Sequence, residues 1–159
     1  MMCSSKTNDS IVSSISSKRD PGFVLIVAFS YYDGPESGLA VYSNGRGIRF
    51  SAIGDSKSGF YRAFRLEKLG GDWWPKIKLV KQLEERDPDV RVVVPNKQSE
   101  DLDLFEKNVL SEITNSYYLG VGSPNFDWLA ACPASKDDLD EAINLGFSFV
   151  HNKLKNDRG

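Results

Sequence analysis

Histidine and cysteine are nearly missing from this chain: one of the first and two of the second in 159 residues. That scarcity excludes whole classes of chemistry. His151, Cys3 and Cys132 are too few and too far apart for a zinc set, and no acidic cluster has the spacing of a calcium loop. Only a magnesium site from pooled carboxylates stays open. Two cysteines build no disulfide framework, which points to a reducing compartment and so to the cytoplasm. Long apolar runs are also lacking. The longest, FVLIVAF at Phe23 to Phe29, falls far short of the roughly 20 residues of a membrane span. It follows a polar stretch with no small-residue cleavage site after it, so it reads as a strand and not as a signal peptide. No membrane association is expected.

Nucleotide motifs are absent too. There is no Gly-Lys-Ser/Thr of a phosphate loop, and Gly45 and Gly47 lack the strand-to-helix setting of a dinucleotide loop. Gly54-Asp55-Ser56 looks like an esterase nucleophile only until a downstream Asp-x-x-His is sought; none exists. No cofactor is implied.

What is present is a charge polarity. The net charge is −2, but residues 22–82 hold 9 Lys and Arg against 5 Asp and Glu, a charge of +4, whereas residues 83–159 hold 8 against 15, a charge of −7. A basic front and an acidic back can steer a charged partner or attract each other.

Residues 1–21 are rich in Ser, Lys, Asp and Asn and read as a flexible tail. Residues 22–155 read as a single domain, and 156–159 as a frayed end. Phe23 to Tyr31 is apolar at nearly every position, as in a strand covered on both faces. Next comes Tyr-Asp-Gly-Pro, a hairpin loop in which Pro35 suits the second position of a type I turn and Gly38 is expected to be left-handed. Asp33 with Tyr31 or Tyr32 would be an acid/base pair on that loop, but a loop aspartate before Gly-Pro is far more often a turn former. Asn44-Gly45 predicts a two-residue type I′ turn between Leu39–Ser43 and Arg46–Ile53, and Phe60–Glu67 completes a four-stranded antiparallel meander.

Pro75 opens an expected helix that stops at Asp87-Pro88, and Val90–Val94 is a fifth strand. Ser99 is the expected N-cap of a helix whose stripe is Leu102, Phe105, Val109, Leu110 and Ile113. Tyr117–Val121 and Phe126–Ala131 read as strands. Ser135 with Asp138 three residues on caps one last helix with Leu139, Ala142, Ile143, Phe147, Val150 and Leu154 facing inward. The whole is an α+β fold: an antiparallel meander sheet of four or more strands packed with two or three helices.

Three functional readings follow. Cys132, at a strand end before a helix N-terminus, is the one candidate catalytic nucleophile, set against the commoner role of a small packed residue. If Ile48, Phe50, Phe60, Phe64 and Leu66 face the core, alternation puts Arg49, Arg65, Tyr61 and Tyr42 on the opposite face, where they would bind single-stranded nucleic acid or a protein. The acidic chain and the missing RNP-like motif argue against nucleic acid. Trp73 and Trp74 are either a lid on the core or an anchor for a partner.

Tyr31-Tyr32-Asp33-Gly34-Pro35, with Gly38 and the meander after it, resembles small uncharacterised bacterial proteins carrying a Tyr-Asp-Gly-Pro hairpin turn. The resemblance covers one loop and its flanking strands, and it implies no activity and no site residue. The expectation is therefore a cytoplasmic, non-catalytic protein-binding or regulatory module using Trp73, Trp74, Tyr42, Tyr61, Arg49 and Arg65. The alternatives are a thiol enzyme and a single-strand nucleic-acid binder.

Overall fold

The computed structural model describes residues 23–42, 45–73, 76, 92–93, 100–123 and 128–158. The expected tail, Asn44, Trp74, the expected helix from Pro75 and the Ser99 cap lie outside them. Seven strands are present among the described residues: β1 (Phe23–Tyr31), β2 (Pro35–Tyr42), β3 (Gly47–Asp55), β4 (Arg62–Leu69), β5 (Val92–Val93), β6 (Ile113–Gly122) and β7 (Trp128–Ala134). The described helices include α1 (Glu100–Ser111), α2 (Lys136–Leu145) and α3 (Phe147–Arg158). The strands form one sheet in the order β5-β1-β2-β3-β4-β6-β7. This is the α+β fold with an antiparallel meander that the hydrophobic pattern predicts. β5 departs from the meander, lying parallel to β1 with Ile26 opposite Val92 and Val27 opposite Val93. No helix of the described residues is long and apolar enough to cross a membrane.

The contacts divide the chain into two units, one with Gly22–Phe50 and Glu67–Asn115, the other with Ser51–Leu66 and Ser116–Gly159. In the first, Leu25, Ile26, Val27 and Ala28 of β1 are all buried, as are Leu39, Ala40 and Val41 of β2. Successive strand residues point to opposite faces, so both faces are covered, which is why β1 shows no polar alternation. Its core joins Leu25, Val27, Leu39 and Val41 to Leu69, Trp73, Phe105 and Val109.

Its turns differ from expectation in instructive ways. Asp33 takes φ 50 and Gly34 φ 119, so these two residues reverse the chain, and Pro35 already opens β2. Gly38 lies within β2 with no left-handed φ. It is needed because a Cβ there would run into the Val27 carbonyl across the ladder. At the β2–β3 connection, Gly45 N–H donates to Tyr42 O at 2.9 Å and Tyr42 N–H to Arg46 O at 2.8 Å. Gly45 takes φ 87; the expected Asn44-Gly45 turn includes Asn44, which lies outside the described residues.

In the second unit, Ala63, Leu119, Val121, Ala130 and Cys132 line the sheet beneath Leu139 and Ala142 of α2 and Phe147, Val150 and Leu154 of α3. β6 and β7 pair antiparallel, with Leu119 opposite Cys132 and Val121 opposite Ala130. Ser135 caps α2 as its spacing predicts. Its Oγ accepts from Asp138 N–H at 3.0 Å, and its own N–H donates to Asp138 Oδ2 at 2.9 Å.

The single terminal helix of the sequence reading is in fact two. Gly146, at φ 73 and ψ −149, ends α2 with its N–H on Ala142 O at 2.7 Å. Phe147 after the break is buried as expected, whereas Ile143, also expected inside, is 54% exposed. Leu110 of α1, also expected inside, is exposed.

A Cβ at Gly146 would meet nothing within 4 Å, so Gly146→Ala tests backbone strain alone. It is expected to lower stability in urea denaturation by about 1–3 kcal/mol, and Ser135→Ala by about 1 kcal/mol. A neutral Gly146→Ala would show that the break does not depend on that conformation.

Candidate functional site

Trp73 is wholly buried. Its ring meets Phe105 edge-on at 6.0 Å, its Nε1 donates to Gly70 O at 3.1 Å, and its backbone N–H donates to Gly45 O at 2.8 Å. Lys76 Nζ lies 4.3 Å from the ring centroid and 3.1 Å from Glu112 Oε1. Trp73 is thus a core closer stitched to the β2–β3 loop, and a buried ring offers no anchor to a partner. In the same unit Arg49 Nη1 donates to Glu67 Oε1 at 2.8 Å with both side chains largely buried, and Tyr42 is half-buried.

This unit does display rings, at the β1–β2 tip. Tyr31 is 50% and Tyr32 70% exposed. The backbone beneath them is fixed: Gly34 and Pro35 are buried, Tyr32 N–H donates to Gly34 O at 2.9 Å, and Ser30 Oγ donates to Glu36 Oε1 at 2.9 Å. Asp33 serves the turn through its positive φ, as a short polar residue tolerates.

The other unit contains Tyr61, Arg65, Cys132 and His151. Tyr61 packs against the core formed under α2 and α3. Arg65, with Ser51, Ala52, Ile53 and Ile143, lines an open depression of about 160 Å³. Cys132 is buried in that same core. His151 stacks on Phe147 with ring centroids 6.2 Å apart; burial, followed by the nearby charge of Lys155, holds its pKa below the usual histidine value. Among the described residues no group of three or more His, Cys, Asp and Glu is placed to hold a metal ion.

The β3–β4 tip is built differently from the β1–β2 tip and ends in the same kind of display. Arg62 Nε and Nη2 donate to Asp55 Oδ1 and Oδ2 at 2.6 and 3.3 Å. Ser56 N–H donates to Tyr61 O at 2.9 Å and Gly59 N–H to Ser56 O at 3.0 Å. Ser56 Oγ accepts from Tyr61 N–H at 3.2 Å, and Ser58 Oγ from Phe60 N–H at 3.3 Å. With Tyr61 turned inward, its neighbour Phe60 points out and is 69% exposed. Strand alternation had put Phe60 in the core; β4 begins only at Arg62, so the alternation does not reach it.

Tyr42 and Arg49 therefore belong to one unit, Tyr61 and Arg65 to the other, and Trp74 lies outside the described residues. The rings at the turns were legible as aromatic residues set directly beside turn formers, in Tyr-Tyr-Asp-Gly and Ser-Gly-Phe.

No protein-family model matches the chain, and neither a curated protein nor a solved structure matches it.

Two outcomes follow from the buried groups. Cys132 is expected to react with a thiol reagent at neutral pH only as fast as the protein opens, and at once in denaturant; fast native labelling would contradict its burial. His151, with its folded pKa depressed, contributes stability that is full above the ordinary histidine value and lost as pH falls through the folded value. Thermal stability should thus drop from pH 7 to 5, and His151→Gln should flatten that part of the profile.

Proposed function

We propose that this chain is a non-catalytic protein-binding module that meets its partner through aromatic rings displayed on fixed turns. The observation that carries the reading is the placement of the exposed rings. Among the described residues the exposed large aromatic side chains are Tyr31, Tyr32 and Phe60, and each stands at a hairpin end, whereas the other large exposed apolar residues are scattered leucines and an isoleucine on helices. A ring held outside water's favour on an ordered turn reaches a partner's pocket without first losing backbone freedom, and aromatic anchors dominate binding energy at interfaces.

The burial of Cys132 weighs against a thiol nucleophile, which needs an exposed, electropositive setting. The Arg49–Glu67 ion pair at 2.8 Å weighs against single-strand nucleic acid, because it cancels one of the cations that such a surface would use. A cytoplasmic setting, in which Cys132 stays reduced, belongs to the same reading.

The test is photocrosslinking in the cells of origin with benzoylphenylalanine in place of Phe60, Tyr32 or, as a control, the exposed Asn152 of α3. One adduct of defined mass from position 60 or 32 and none from 152 is expected. No adduct at either turn, or the same adducts from all three, would overturn the reading.

A further inference from the structure

The two aromatic tips differ in charge, and the β1–β2 tip has a composition of its own. From Ser30 to Gly38 it holds two tyrosines, Asp33 and Glu36, and no Lys, Arg or His. Tyr31 and Tyr32 are 50% and 70% exposed, and an aromatic face carries negative potential that attracts a cation. Asp33 is exposed next to them on a backbone fixed in the left-handed region at φ 50. Glu36 accepts the Ser30 hydroxyl at 2.9 Å and adds a second negative charge at the base of the loop.

We propose that the β1–β2 tip receives a cationic, extended segment of a partner protein, a stretch bearing arginine or lysine. Its guanidinium or ammonium groups lie over the tyrosine faces, and Asp33 supplies the opposite charge. This rests on the binding-module reading and names the chemistry of the partner at one of its two tips. An acidic segment meets two carboxylates there and is repelled. A purely apolar one gains nothing from them and leaves Asp33 to be desolvated without a partner. Arginine gains most, because its planar group stacks on a ring and still directs N–H donors at a carboxylate.

The experiment is an NMR titration of the uniformly ¹⁵N-labelled full chain with three blocked pentapeptides, Arg-Gly-Arg-Gly-Arg, Glu-Gly-Glu-Gly-Glu and Ser-Gly-Ser-Gly-Ser. Saturable amide shifts confined to residues 30–38 are expected with the arginine peptide alone, and they should weaken as salt is raised. Tyr32→Ala should weaken binding about threefold. Asp33→Asn keeps a residue that tolerates positive φ, so it should preserve the spectrum of the turn while weakening binding about twofold and reducing the salt dependence. Equal shifts with the acidic or neutral peptide, shifts spread over the acidic helices instead of the tip, or none at low salt would overturn the assignment of a cation. If crosslinking through Tyr32 nevertheless succeeds, the partner is of another chemistry and the binding-module reading stands; if crosslinking fails at both tips, that reading falls whatever the peptides do.

Discussion

A guanidinium taken out of water and forked onto a carboxylate ties the two ends of the β3–β4 tip together. The Arg62 side chain is 5% exposed and its Asp55 partner 48%, so the arginine end of the fork is buried while the aspartate keeps half its surface in solvent. Loss of Asp55 removes both bonds of the fork from a buried guanidinium, at about 1–3 kcal/mol. The clamp joins the end of β3 to the start of β4, and Ser56, buried beside it, accepts the Tyr61 amide. Tyr61 packs inward, and Phe60, whose N–H donates to Ser58 Oγ at 3.3 Å, stands exposed on the tip that the clamp closes.

The same division of labour runs through the rest of the molecule. Charged side chains finish secondary elements: Glu67 holds Arg49, Glu112 holds Lys76, and Asp138 caps α2 while lying 3.4 Å from Lys153. The bond from the Ser135 backbone N–H, foremost, holds the Asp138 carboxyl below the usual aspartate range, the signature of an acid engaged in a cap. Among the described residues, the large aromatic rings that reach the surface stand at the turns. At the β1–β2 tip the left-handed Asp33 and the buried Gly34 and Pro35 take the place of the ionic clamp.

Much of the fold was legible because its signals are local. The unbroken apolar run of β1, the Ser135–Asp138 capping pair and the stripe of α3 each follow from a few neighbouring residues. The misreadings have local causes as well. Leu139 to Leu154 keeps a helical period through Gly146, so periodicity alone does not reveal the break. The candidate site was less legible, since exposure is a tertiary property. Trp73 and Phe60 are both large apolar residues in glycine-containing turns, yet one packs edge-on against Phe105 and is buried and the other is exposed.

Backbone ¹⁵N relaxation at Tyr32 and Phe60 tests most directly whether the display of rings is built into the fold. The account predicts amide order parameters near those of the flanking strands, about 0.8 or above, with the Phe60 value falling below about 0.6 in Asp55→Asn. Values below about 0.6 at both residues in the native chain would mean that the turns hold nothing in place, and would contradict it.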